Sequence, residues 1–140
     1  GVRSAMVSRG LTFDSSHIAF CPISVANGMQ AARNLLSLRP RPTAIIGTND
    51  ALAVGALKAC RAMGIAVPTE MSIVGGNTEL GASQSPVLSG TSAPVAEIGR
   101  IVAEILLARL DGRDVEHTRE LPFELAWRES TGTAPATTLE

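Results

Sequence analysis

The sequence predicts an α/β fold in which helices flank a parallel sheet. Two features of the sequence support this prediction. Short apolar segments recur along the chain, and the longer segments between them repeat their apolar residues every three or four positions. The short segments have the length of buried strands, and the longer segments have the pattern of amphipathic helices. Their alternation favours parallel strands joined by helical crossovers.

Glycine, proline and serine mark where the predicted elements begin and end. Gly10, Gly64 and Gly112 each stand where a helix would end in left-handed backbone. Ser24 is a typical N-cap residue, and the two prolines within residues 39–42 stop the helix that Ser24 begins. The predicted helices cover residues 2–11, 25–36, 51–63 and 95–110, and the predicted strands cover residues 17–21, 43–47, 71–75, 86–91 and 120–128.

The last helix and the last strand carry the clearest patterns. Residues 120–128 alternate apolar and polar side chains with a period of two, which is typical of a half-exposed strand. Pro122 favours an edge position, because proline has no amide N–H to donate to a neighbouring strand. In the helix over residues 95–110, the apolar side chains that share one face are Ile98, Ile101, Val102, Ile105 and Leu106.

Composition and charge exclude several classes of protein. The 140 residues carry a formal net charge of −1, so this segment lacks the basic face that contact with DNA phosphates requires. No apolar run reaches the ~18 residues of a membrane span, so no membrane contact is expected. Cys21 and Cys60 lie far apart in apolar surroundings, and we expect buried thiols in a reducing compartment, the cytoplasm.

Small polar residues follow two of the predicted buried strands. The first segment is Gly-Thr-Asn-Asp over residues 47–50, and the second is Gly-Gly-Asn-Thr over residues 75–78. Ligands of open parallel sheets bind outside the carboxyl ends of the strands. We therefore expect these two segments to contact a small polar ligand through backbone amides, side-chain amides and hydroxyl groups.

Each of these side chains also has a structural alternative. Asn49 offers both donors and an acceptor, so we favour ligand contact over helix capping. For Asp50 we favour capping, because aspartate is stabilised at the start of a helix. Asn77 and Thr78 fit a ligand contact and an ordinary loop equally well. Ser24 follows a third strand end and is more typical of a cap than of a contact.

Residues with catalytic chemistry are scattered along the chain. His17 and His117 are isolated from any nucleophile that they could activate, and the single lysine, Lys58, lies in the middle of a predicted helix. The cysteines lack the spacing of metal ligands. The sequence therefore predicts no catalytic residue, no metal and no cofactor. A small α/β enzyme is retained only as the least favoured alternative.

Three segments resemble one family of proteins. Residues 42–50 (Pro-Thr-Ala-Ile-Ile-Gly-Thr-Asn-Asp), 53–57 (Ala-Val-Gly-Ala-Leu) and 72–75 (Ser-Ile-Val-Gly) are similar to the effector domain of the lactose/galactose-repressor family of bacterial transcriptional regulators. The likeness spans nearly the whole chain and ends in Arg-Glu-Ser-Thr over residues 128–131. It implies a small-molecule effector, a homodimer and DNA contact through a domain outside this chain. Periplasmic sugar-binding proteins share the fold, so a transport receptor is the alternative.

The resemblance also implies how the chain divides. Residues 1–92 would form the C-terminal lobe of a two-lobed domain like that of periplasmic binding proteins, without that lobe's first strand. Residues 93–119 would cross to the N-terminal lobe as a helix, and residues 120–131 would return as a strand. Residues 132–140 would form a loose tail.

By position, the resemblance assigns roles to particular residues. Asn49 matches an asparagine that contacts the ligand, and Asn77 matches an aspartate that accepts hydrogen bonds from ligand hydroxyls. Ile23 stands where the family often has an aromatic residue that stacks on the ligand ring, and Val54 matches a contact of the dimer. The changes at Ile23 and Asn77 widen the expected effector from a sugar to a nucleoside-like metabolite.

Overall fold

The computed structural model describes residues 1–76, 79–116 and 118–135. Within these residues four strands form one sheet, in the order in which they follow one another along the chain. The strands are β1 (Ala44–Ile46), β2 (Ser72–Gly76), β3 (Ser89–Ser92) and β4 (Glu124–Ala126). The helices are α1 (Val2–Val7), α2 (Val25–Leu36), α3 (Asp50–Ala62), α4 (Glu79–Ala82) and α5 (Val95–Leu110).

The sheet is parallel over its first three strands. In the register of β1 and β2, Ile45 lies opposite Ile73, and β2 and β3 continue in the same direction. Strand β4 is antiparallel to β3, with Gly90 opposite Ala126, because the chain returns along β3 after α5. The predicted α/β fold, a mainly parallel sheet with flanking helices, is confirmed.

Helix α3 packs on the sheet, and helix α2 packs closely on α3. Two glycines allow this close approach: a Cβ added at Gly28 would lie 2.7 Å from Cα of Leu52, and one added at Gly55 would lie 2.5 Å from the backbone N of Met29. A side chain at either position would therefore push the helices apart. The buried core consists of Ala32, Leu36, Ile45, Ala53, Val54, Ala56, Leu57, Ala59, Cys60, Ile65, Met71, Ile73 and Leu88.

Backbone geometry confirms the predicted ends of α3 and α5 and the predicted start of α2, whereas α1 ends at Val7 and not at residue 11 as predicted. Ser24 is the N-cap of α2, and its side chain accepts a hydrogen bond of 3.1 Å from the backbone N–H of Asn27. Gly10, Gly64 and Gly112 follow α1, α3 and α5 and have φ angles of +69°, +69° and +72°. This left-handed backbone is costly for residues that carry a Cβ, which explains the glycines there.

The predicted strand over residues 17–21 is wrong. Ser15–His17 form a short 3₁₀ turn, and the residues that follow are neither helix nor strand. Ile18 is 41% exposed and Phe20 is 93% exposed. An apolar run becomes a strand only where a neighbouring strand accepts its backbone hydrogen bonds, and no described residue pairs with this segment.

Two later elements also differ from the prediction. Helix α4 lies in a stretch that the sequence pattern left as a polar loop, and β4 is limited to the three residues that face β3. Leu121 is half-buried, whereas Phe123, Leu125 and Trp127 are exposed. Helix α5 has the predicted bounds, yet only two of its residues, Ile101 and Ala108, are buried. We call α5 and residues 121–127 together the α5–β4 arm.

The remaining sequence predictions concern the tail of the chain and a membrane-spanning helix. Residues 132–135 have no helix or strand, and the rest of the predicted loose tail lies outside the described residues. In the part of the chain that the structure describes, no helix is both long and apolar enough to cross a membrane.

Candidate ligand-binding site

The two polar segments lie side by side at the carboxyl edge of the sheet. The backbone N–H of Gly47 donates a hydrogen bond of 2.8 Å to the carbonyl oxygen of Val74, so the ladder continues past the end of β1. A Cβ added at Gly76 would lie 2.8 Å from the carbonyl oxygen of Thr48. The backbones of the two segments therefore touch, as the expected meeting of the strand ends requires.

Asn49 is the N-cap of α3. It has the extended backbone of a cap, with φ −146° and ψ 151°, and its side chain accepts a hydrogen bond of 2.8 Å from the N–H of Ala51. Capping was favoured for Asp50, but Asp50 already lies inside the helix and cannot be the residue before it. The amide nitrogen of Asn49 makes no hydrogen bond with the described part of the chain.

Asp50 faces the interior of the molecule. Its side chain lies between α3, the end of β2 and α4, and the residue is 6% exposed. One carboxylate oxygen, Oδ2, accepts a hydrogen bond of 3.0 Å from the backbone N–H of Gly81. The other oxygen, Oδ1, is buried and has no hydrogen-bond partner among the described residues. The carboxylate therefore connects the start of α3 with α4 on the inner side of the edge.

Ser24 and Ile23 belong to the same end of the molecule. The first turns of α2 and α3 touch at Gly28 and Leu52, so the N-caps of both helices lie at one end of the helix pair. The hydroxyl oxygen of Ser24 is engaged as a cap, and Ile23 before it is 68% exposed. Asn77 and Thr78, the other predicted ligand contacts, lie outside the described residues.

The predicted dimer contact, Val54, lies in the core. It is 3% exposed and belongs to the cluster that α3 forms with α2 and the sheet. The exposed residues of α3 include Lys58 and Arg61. The side chain of Val54 is therefore covered by this chain itself.

The cysteines and the one described histidine, His17, do not form a reactive centre with the edge. Cys60 is fully buried, and burial raises the pKa of its thiol to about 11, so the thiol is protonated at neutral pH. Cys21 is half-buried, His17 is on the surface, and His117 lies outside the described residues. Among the described residues, no three His, Cys, Asp or Glu side chains are grouped so that they could hold a metal ion.

A buried hydroxyl network fixes the segment after β4, and the sequence pattern gave no sign of it. The hydroxyl of Ser130 donates to the carbonyl oxygen of Ile73 at 2.6 Å and accepts from the N–H of Ser89 at 2.8 Å. The hydroxyl of Ser89 in turn accepts from the N–H of Arg128 at 2.8 Å. The Arg-Glu-Ser-Thr segment of the family resemblance was the one available signal, and it indicated likeness without a physical role.

Two cavities among the described residues lie away from this edge. One has a volume of about 460 Å³ and lies between residues 16–21 and the outer face of α2. The other, of about 320 Å³, lies between α5 and residues 119–123. Neither of the two is lined by Asn49 or Asp50.

The parallel sheet with a polar carboxyl edge defines a class of protein, a domain of the periplasmic binding protein-like type, and residues 1–131 match that family. The chain is 36% identical over 105 residues to the lactose operon repressor of Rhizobium radiobacter, a match that covers 74% of this chain and 92% of that protein. The chain belongs to the lactose/galactose-repressor family and is part of its effector-binding domain.

Solved structures agree with this assignment. A LacI family transcriptional regulator from Bifidobacterium animalis subsp. lactis is similar with a TM-score of 0.84 and 32% identity, over 96% of this chain and 48% of that chain. The complex of the transcriptional regulator CelR with cellobiose is similar with a TM-score of 0.83 and 28% identity, over 91% of this chain and 40% of that one.

The relatives also decide between the classes of function. They are transcriptional regulators and not enzymes, which favours the regulator over both the transport receptor and the small α/β enzyme. The chain spans 31% to 40% of the length of the other curated relatives that it matches and about half of the similar solved chains.

Proposed function

We propose that this chain binds a small polar effector for a bacterial regulator of transcription. The observation that carries the proposal is Asn49 at the carboxyl edge of the sheet, whose amide nitrogen makes no hydrogen bond within the described residues while its oxygen caps α3. A sugar-like or nucleoside-like metabolite offers oxygen acceptors to such donors. The cellobiose complex of a relative with the same fold supports the sugar class.

The neighbouring residues would complete the ligand surface. Ile23 offers an exposed apolar side chain to the flat face of a sugar or a base. The hydroxyl of Ser24 can still donate, although its oxygen accepts from the helix. Asn77 and Thr78 follow directly on β2 in the sequence and are proposed as contacts with ligand hydroxyls. Asp50 would act on the edge through its buried carboxylate.

The regulation would depend on a second lobe outside this chain. A ligand that contacts both lobes lowers the free energy of the closed arrangement relative to the open one. In a homodimer, that closure changes the spacing of two DNA-reading domains and so changes operator affinity. Helix α3 and residues 83–88 would contribute to the dimer surface, with Val54 behind that surface in the core. We place this regulator in the cytoplasm with its DNA.

The decisive experiment combines ligand binding with a variant that keeps the helix cap. The full-length protein is screened by thermal shift and calorimetry against cellobiose, lactose, galactose, adenosine and guanosine, and each binder is tested for its effect on operator DNA. Asn49→Asp keeps an oxygen that caps α3 and removes both amide donors. We expect its affinity to fall roughly tenfold or more, with nearly unchanged stability.

Asn34→Asp is the matched control, because Asn34 is exposed on α2 and lines the cavity between residues 16–21 and α2, away from the edge. Its affinity should equal that of the unchanged protein. Equal affinity of Asn49→Asp would remove Asn49 from the site. Operator binding that no effector alters would remove the regulatory mechanism.

A further inference from the structure

The carboxylate of Asp50 connects the start of α3 with α4. Gly81 is the third residue of α4, and its backbone N–H is one of those at a helix start that lack a partner inside the helix. That N–H donates to Oδ2 of Asp50 at 3.0 Å, although the two residues are 31 positions apart in the sequence. A side chain from α3 thus caps a different helix.

The surroundings of the carboxylate restrict what can stand beside it. A Cβ added at Gly75 would lie 2.9 Å from Oδ1 of Asp50, and one added at Gly81 would lie 3.5 Å from the same oxygen. Glycine at position 75 is therefore the residue that leaves room for the carboxylate. Within the described residues, Oδ1 of Asp50 has no hydrogen-bond partner, so the hydrogen bond from Gly81 to Oδ2 is the polar contact that these residues give the carboxylate.

We propose that Asp50 is a positioning residue for the ligand edge, and this rests on the proposed function for the identity of that edge. The segment from β2 to α4 is anchored twice. At its first anchor, Gly76 is held in the β2 ladder against the carbonyl oxygen of Thr48. At its second anchor, Gly81 is held by Asp50. Gly81 and α4 lie next to the proposed ligand surface, so Asp50 fixes the position of α4 beside that surface without touching the ligand.

A positioning role makes a local prediction that a general role in stability does not. Loss of the Asp50 carboxylate frees the second anchor and leaves the β1–β2 ladder and the contact between α2 and α3 in place. Amide hydrogen exchange should therefore accelerate over α4 and the residues after it, while the sheet and α3 keep their protection.

Hydrogen exchange of the full-length protein without ligand, read by mass spectrometry on peptides that cover residues 79–85, tests this directly. In Asp50→Ala we expect exchange there to be roughly ten- to a hundredfold faster, since a hydrogen bond to a charged acceptor is lost. Asp50→Asn keeps an oxygen that can accept from Gly81, so exchange should return to within roughly threefold of the unchanged protein. The exposed Asp114, changed to Asn, is the control and should alter nothing.

Unchanged exchange over residues 79–85 in Asp50→Ala would overturn the proposal. Uniform acceleration across α3 and the sheet would also overturn it, because Asp50 would then support the whole fold. Equal acceleration in Asp50→Asn and Asp50→Ala would show that the hydrogen bond to Gly81 is not the anchor. If Asp50→Ala does not fold, Asp50→Ser, whose hydroxyl is too short to reach Gly81, gives the same comparison. Because no ligand is present, failure of the effector screen does not affect this result.

Discussion

Helices α3 and α5 differ in how far the described chain covers their apolar residues. Both are long, and both have apolar side chains at helical spacing. Eight of the 13 residues of α3 are buried, whereas two of the 16 residues of α5 are buried. The comparison teaches that the spacing of apolar residues predicts a helix and its inner face, but not which part of a protein covers that face.

Many of the large apolar side chains of the α5–β4 arm are exposed. Scattered exposed apolar side chains are ordinary, but a contiguous set marks a surface that another part of a protein covers. We propose the second lobe as that cover. The members of this set that are at least half exposed are Val95, Val102, Leu106, Leu107, Leu110, Phe123 and Trp127.

The largest expected difference in the free energy of unfolding is between two leucine-to-alanine variants, one in α3 and one in α5. Leu57 of α3 is 1% exposed and Leu107 of α5 is 60% exposed. Leu57→Ala should lower the free energy of unfolding of this chain by about 2–5 kcal/mol, because it leaves a cavity in the core. Leu107→Ala should change it by less than about 0.5 kcal/mol, because it removes surface that is already in water. Denaturant unfolding of both variants measures the difference.

The same pair can sharpen the comparison in a longer protein. If the second lobe covers the arm, the cost of Leu107→Ala rises when that lobe is present, and the cost of Leu57→Ala stays the same. Similar costs for the two variants in this chain alone would contradict the contrast between the core and the arm.

Removal of a hydroxyl group from the buried network should have an intermediate effect on the free energy of unfolding. Ser130 is fully buried and bridges β2 and β3 through its hydroxyl group. Ser130→Ala leaves the carbonyl of Ile73 and the N–H of Ser89 without this partner, so we expect a loss of about 1–3 kcal/mol in the free energy of unfolding. Ser37→Ala is the control, because that hydroxyl is exposed and water can replace its bond. A loss no greater than that of the control would mean that the network is dispensable.

The elements that could be predicted from the sequence are those that depend on local pattern. The periodicity of residues 51–63 and 95–110 identified α3 and α5, and the apolar runs over residues 43–47 and 71–75 identified β1 and β2. The strand predicted over residues 17–21 failed because a strand also needs a neighbour, which no run of residues reveals.

The meeting of the two polar segments was predictable from the sequence, and the hydrogen bonds of their side chains were not. Strand ends followed by small polar residues located the edge, because parallel topology brings such ends together. The sequence could not show that Asn49 is the cap and that Asp50 turns inward to Gly81, since both depend on where α3 begins and on a partner 31 positions away. Ser130 was missed for the same reason.

The smallest expected effect on stability comes from removal of the Glu70 carboxylate, which lies in the loop between α3 and β2. Glu70 accepts a hydrogen bond of 2.9 Å from the backbone N–H of Ala66 and pairs with Arg41 at 3.3 Å. The hydrogen bond from Ala66, followed by the bond from Arg41, lowers the pKa of Glu70 below its usual value. A group whose folded pKa is lowered stabilises the fold above its unfolded pKa, and this contribution is lost as the pH falls through the folded pKa.

Glu70→Gln removes this titration, so the variant should have a lower unfolding temperature than the unchanged chain at neutral pH. The difference should shrink below the usual pKa of a glutamate, about pH 4.3, and disappear once the pH is below the lowered value. Thermal unfolding of both proteins from neutral pH downward measures it. Glu104→Gln, on the exposed surface of α5, is the control from the arm, because an exposed ion pair adds little stability. A difference for Glu70→Gln that stays constant with pH would mean that its carboxylate charge does not contribute, and the loop between α3 and β2 would then depend on its backbone hydrogen bonds and apolar contacts.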